Sequence, residues 1–169
     1  DWGCINCTEG NILNIMIGPR GYSMGSSGPD YVSGWSFLPL TENLVSALQG
    51  DPRYPFTVID MKKLEAEGRA SYTPGYMDTG YFLEKYAGRE SNRWKGAGTF
   101  ELNFPQNIYE IRLADTYLME AEALVRGGGN ASRAAALLNA VRARVGLPAV
   151  AATFDNIKKE RRLELAGEG

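Results

Sequence analysis

Cys4 and Cys7 form a C-x-x-C pair near the start of the 169-residue chain. Such a pair serves as half of a zinc site or as a redox couple. A zinc site of the usual kind needs four Cys or His ligands, and the chain has no further Cys and no His. The flanking Trp2-Gly3 and Thr8-Glu9-Gly10 do not read as the βαβ setting of a thioredoxin-like site. Two packed thiols or a local disulfide remain, and neither a metal nor a cofactor is expected. The lack of histidine also removes Ser-His-Asp and Cys-His catalysis and any histidine pH switch. Carboxylates alone suffice for glycoside hydrolysis, so that one class of enzyme survives.

The aromatic residues are the richer set: Tyr22, Tyr31, Trp35, Tyr72, Tyr76, Tyr81, Tyr86 and Trp94, most with glycine close by. A flat apolar ring with a hydrogen-bonding edge suits a sugar, whose C–H face stacks while its hydroxyls meet polar groups. The competing reading of each ring is core packing in a region poor in regular structure. The stretch from Gly18 to Gly34 holds five glycines, two prolines and two tyrosines, and reads as a long loop. Tyr22, Tyr31 and Trp35, in or beside it, are the expected stacking positions, with Asp30 as an acceptor for sugar hydroxyls. For Tyr31 and Trp35 the core and sugar readings both stand.

The elements that must position these rings divide near Gln106. Residues 1–106 carry 15 of the 18 aromatics, all three Trp, seven of eight Pro and a charge of −3. Residues 107–169 carry a charge of +1 and are rich in Ala, Leu, Arg and Glu. The first region reads as aromatic loops with a few short strands and the second as helical scaffold. Ile111, Ala114, Leu118, Ala121 and Val125 recur at helical spacing, predicting a helix over Ile108–Arg126 that Gly127-Gly128-Gly129 ends. Asn130 or Ser132 caps the next, with Ala134, Leu137, Leu138, Val141 and Val145 on its apolar face and Gly146 and Pro148 closing it. A third helix starts near Thr153 or Asp155 and reaches about Ala166. Upstream, Thr41 precedes a short helix ended by Gly50, Phe56–Asp60 is extended, and Tyr81–Tyr86 reads as a strand. The fold class is therefore mainly α: a tetratricopeptide-like hairpin and a further helix, packed against a loop-rich aromatic region.

Overall net charge is −2, too even for a nucleic-acid binder that neutralises phosphates. No apolar run approaches the ~20 residues that span a bilayer. The ends, Asp1-Trp2-Gly3 and Ala166-Gly167-Glu168-Gly169, read as those of an internal piece of a longer protein.

Three blocks in the helical region have a familiar form. Asn107–Leu124, with Arg112-Leu113-Ala114 and Ala121-Glu122-Ala123, resembles a helix of the SusD/RagB family of outer-membrane nutrient-binding lipoproteins. Leu138–Leu147, with Arg142, Arg144 and Gly146-Leu147, resembles that family's second block. Ile157–Gly169, with Glu160-Arg161-Arg162, Glu164-Leu165 and Gly167-Glu168-Gly169, resembles its third. Upstream, Leu44-Val45 through Asp51-Pro52-Arg53 is similar to a further block. The resemblance implies non-catalytic capture of oligosaccharide or polysaccharide on the outer face of the outer membrane. It also implies an N-terminal lipid anchor outside these residues and a TonB-dependent, SusC-like barrel as partner. The matching blocks are scaffold and transfer no ligand residue. Within them, Arg112, Glu122, Glu160, Arg161 and Glu164 are expected at the helix interface, pairing with one another or with helix ends. Two other readings stand beside this one: a carboxylate glycoside hydrolase, and a helical-repeat interaction module without small ligand.

Overall fold

The structure, a computed structural model, describes residues 12–93 and 104–168. Cys4, Cys7 and Trp94 lie outside the described residues. The chain forms two compact units. One comprises Asp1–Ser46 and Pro55–Asn107, the other Ala47–Tyr54 and Ile108–Gly169. The second thus takes in an upstream segment as well as the helical region that begins near Gln106.

The helical unit contains α5 (Leu113–Arg126), α6 (Ala131–Arg144) and α7 (Phe154–Glu164). Helix α5 packs on both α6 and α7. The spacing of small and branched apolar residues makes this possible. Leu118 and Ala121 of α5 meet Ala134, Leu137, Leu138 and Val141 of α6 and Ile157 of α7 in one buried cluster. Asn130 caps α6 by accepting from the Arg133 N–H at 2.9 Å, and Thr153 caps α7 by accepting from the Asn156 N–H at 3.2 Å. Each satisfies a backbone donor that the first turn leaves open. Gly128 and Gly146 end α5 and α6 with φ of 65° and 75°, where a side chain would be strained.

One helix boundary differs from expectation. Helix α5 starts at Leu113, because Arg112 is extended (φ −135°) and serves as N-cap. Its guanidinium is held by Glu164, through both carboxylate and backbone carbonyl, and by Glu168. Ile111, expected on the buried stripe, therefore precedes the helix and is exposed.

A network of charges lies inside this unit. Glu160 and Glu164 are almost fully buried. Arg53, from the Ala47–Tyr54 segment, donates Nη1 to Glu160 at 2.7 Å and to Glu164 at 3.0 Å, while Asp51 grips the same guanidinium through Nε and Nη2 at 2.8 Å. Arg142 completes Glu160, and Arg112 and Arg144 complete Glu164, each at 2.7 Å. Arg161 sits apart from this network, 2.8 Å from Asp115 of α5. Glu122 also departs from the expected arrangement. It pairs with Arg126 one turn along its own helix, on the surface, where such pairs contribute little.

The first unit is built from short elements: α1 (Leu13–Ile17), β1 (Ser23–Met24), β2 (Val58–Asp60), α4 (Met61–Ala66), β3 (Ala70–Ser71) and β4 (Tyr81–Leu83). Helix α2 (Glu42–Leu48) follows Thr41, and α3 (Tyr54–Thr57) is a single turn. The extended segment expected at Phe56–Asp60 thus begins only at Val58. Pro55 sits in the first turn of α3, where a missing N–H costs nothing. Strands β1 and β3 pair antiparallel with Ser23 opposite Ser71, and β2 pairs with β4 with Ile59 opposite Phe82. Ile59, Met61, Leu64, Ala70, Phe82 and Tyr22 form the main core cluster. Among the described residues, no helix is long and apolar enough to cross a membrane.

Candidate functional site

The Gly18–Gly34 segment proves to be clamped. The Gly25 N–H donates to the Arg69 carbonyl at 2.8 Å, and Val32 donates to Gly88 at 2.9 Å. From its last residue onward, four consecutive backbone N–H groups are fixed in turn. Gly34 donates to Pro19, Trp35 to Ile15, Ser36 to Gly18 and Phe37 to Met16, all between 2.7 and 2.9 Å. The Ser36 hydroxyl also accepts from the Arg20 N–H at 2.8 Å. Ser36 is held at φ 57°, a left-handed conformation that a non-glycine residue adopts at a cost. The result is a rigid ledge carrying two outward rings. Trp35 and Phe37 lie with centroids 5.5 Å apart, 41% and 58% exposed. That tilted pair is an apolar surface of the kind a sugar's C–H face covers.

The ledge depends on close backbone approach at Gly34. A Cβ there would collide with the backbone of Gly18. Gly34→Ala should therefore force the two segments apart and cost roughly 1–3 kcal/mol, as overpacking does. Thermal unfolding should show the loss. An unchanged melting temperature would mean that the ledge is not held as described.

The other three expected contact residues sit differently. Tyr22 belongs to the core: it is only 9% exposed, its hydroxyl donates to the Pro29 carbonyl at 2.5 Å, and its ring meets Tyr31 edge-on. The expectation of a stacking face at Tyr22 is corrected accordingly, since neither face is open. Tyr31 is half-buried, with its hydroxyl on Glu84 and the Arg89 guanidinium 4.6 Å from its ring centroid. Asp30 accepts from Arg89 at 3.2 Å and from the Ser91 N–H at 3.0 Å. Of the four residues, Trp35 alone presents an open ring.

The carboxylates of this cluster have opposite electrostatics. Hydrogen bonds from the Ser91 hydroxyl and N–H, with help from Arg89, hold Asp30 down to about 2. Burial pushes Glu84 above its ordinary value, against the pull of Tyr31 and Arg89. Burial and the bond to Glu84 likewise raise the Tyr31 phenol. Two carboxylates tuned apart are what acid–base chemistry requires. Here, however, their oxygens are engaged by Arg89, Tyr31 and Ser91, and the cluster reads as a loop clamp. Glu84 and Arg89 also line a cavity of about 460 Å³ with Asn92, Phe104 and Gln106. No signal in the sequence marked it. Among the described residues, no group of His, Cys, Asp or Glu is arranged to hold a metal ion.

The SusD family model matches residues 8–169, and the chain belongs to that family. A solved laminarin-binding SusD-like protein is 56% identical, with TM-score 0.89, over 95% of this chain and 34% of its own. Surface glycan-binding protein A from Bacteroides thetaiotaomicron, solved with laminarihexaose, is 34% identical, with TM-score 0.81, over 94% of this chain and 35% of its own. The protein of the same name from Bacteroides uniformis is 32% identical, with TM-score 0.77, over 96% of this chain and 34% of its own. The chain thus spans about a third of the length of these solved relatives. A comparison with curated proteins returns no match.

Proposed function

We propose that the protein captures glucans at the cell surface without chemical turnover and passes them to a TonB-dependent outer-membrane barrel. The ligand class is that of laminarin and its oligosaccharides, since one similar solved protein binds laminarin and another is solved with laminarihexaose. The observation that carries the reading is the Trp35–Phe37 pair, two exposed rings on a backbone tied by four consecutive hydrogen bonds. Preorganised rings lose little conformational freedom when a ligand lands, so most of the stacking energy is retained in binding. An N-terminal lipid anchor and the barrel partner complete the proposal, supported by the match to the SusD family.

The test is calorimetric titration of the full-length protein with laminarihexaose, cellohexaose and maltohexaose, with chromatography of each mixture afterwards. Binding of laminarihexaose with no shorter product is the expected result. Appearance of shorter sugars would favour a hydrolase, and silence with every glycan would favour an interaction module. Co-purification of a barrel protein with the membrane-extracted protein tests the delivery step.

A further inference from the structure

Tyr76 is 89% exposed, more than any other large apolar side chain among the described residues, and Met77 beside it is 72% exposed. Two adjacent large apolar side chains left in water on a well-held turn form a small contact surface. This turn is held at both ends. The Thr73 N–H donates to the Arg20 carbonyl at 2.7 Å, and the Thr79 hydroxyl donates to the Leu40 carbonyl at 2.7 Å. Asp78 accepts from the Tyr72 hydroxyl at 2.7 Å and from the Gly80 N–H at 3.1 Å. Met77 is held at φ 52°, again a left-handed conformation in a non-glycine residue. Among the described non-glycine residues only Ser27, Ser36 and Met77 have positive φ, and two of the three lie at this place. Such backbone persists where the surroundings over-determine it, commonly at binding sites.

The turn adjoins the Trp35–Phe37 ledge. A Cβ built on Gly75 would lie 3.2 Å from the Cβ of Ser36. Standard bond lengths then put the Cα atoms of Gly75 and Ser36 within roughly 6 Å, and those of Tyr76 and Trp35 within roughly 14 Å. A separation no greater than that lies within the reach of one oligosaccharide chain. We propose that the Tyr76–Met77 turn is a second sugar-binding wall, contacting a different residue of the same glucan chain that stacks on Trp35 and Phe37. The proposal rests on the glucan-capture reading above and adds to it a preference for chain length. A ligand too short to reach both walls uses only one. The neighbouring Thr73 is exposed and offers a hydroxyl to a sugar beside the Tyr76 ring.

The experiment compares full-length wild type, Tyr76→Ala and Tyr76→Phe with laminarihexaose by calorimetry and laminaribiose by ligand-observed NMR. Tyr76→Ala should weaken hexaose binding about tenfold or more, as loss of a stacking ring does. It should leave the disaccharide affinity and the melting temperature unchanged, and Tyr76→Phe should keep most hexaose affinity. Unaltered hexaose binding in Tyr76→Ala overturns the proposal. So does equal loss of both ligands, or a fall in melting temperature that accounts for the loss. A wild-type protein that binds neither sugar overturns the glucan-capture reading, and this inference with it.

Discussion

Glu164→Ala should destabilise the protein by roughly 3–5 kcal/mol, the cost of breaking a buried ion pair from one side. Glu164 is 2% exposed and accepts from Arg53, Arg112 and Arg144. Its removal takes a carboxylate from three guanidinium groups, of which Arg53 is buried, Arg112 is largely buried and Arg144 is exposed. Asp51 and Glu160 still hold Arg53, and Glu168 still holds Arg112, so the carboxylate is lost most completely at Arg144. A pH dependence follows from the same site. Burial alone would raise the Glu164 carboxyl, but hydrogen bonds from Arg112 and Arg53 and the charge of Arg144 bring it below its ordinary value of 4.5. A depressed folded-state value means that the stabilisation is complete above 4.5 and is lost as pH falls through the folded value. Thermal unfolding from pH 7 downward should show the wild type losing stability below about pH 4.5, with a flatter acid limb in Glu164→Ala. Equal melting temperatures at pH 7 would show that the network carries no net stability.

Trp35→Ala should weaken glucan binding by roughly 1–3 kcal/mol while barely moving the melting temperature. The ring is 41% exposed and rests on Phe37, so little core is lost with it. Because the two rings touch, Phe37→Ala should not add simply to it: the double variant should lose less than the two single losses combined. The contrast with Gly34→Ala is diagnostic. That change damages the ledge itself, so stability and affinity should fall together, whereas Trp35→Ala separates them. A large fall in stability with affinity intact would make Trp35 a core residue.

How much of this was legible follows from the range of each interaction. The apolar spacing through Leu118, Ala121, Leu138 and Val141 foretold the helical unit because helix periodicity is local. The caps at Asn130 and Thr153 and the stop at Gly146 were legible for the same reason. Arg53 was not: it meets Glu160 and Glu164 across more than a hundred residues, and no single-sequence pattern encodes that pairing. The start of α5 was misplaced because Glu164 and Glu168, distant in sequence, hold the guanidinium of an extended Arg112. At the site, Trp35 was singled out for its type and its neighbouring glycines. Tyr22 shares both features and lies in the core, because β1 pairs with β3 and the loop folds inward over Phe82 and Ile59. Composition finds rings that can stack on a sugar, and only tertiary pairing decides which stay open. Ser36 and Met77 carry no sequence mark of their left-handed backbone, so the strained turns beside the rings emerge from the structure alone.

The central claim is that the Trp35–Phe37 ledge receives the glucan. A crystal structure of the full-length protein with laminarihexaose tests it most directly. The account predicts a glucose residue stacked on Trp35, with the chain continuing toward Tyr76. Sugar bound instead in the cavity between Arg89 and Phe104, with the Trp35 ring bare, would contradict it.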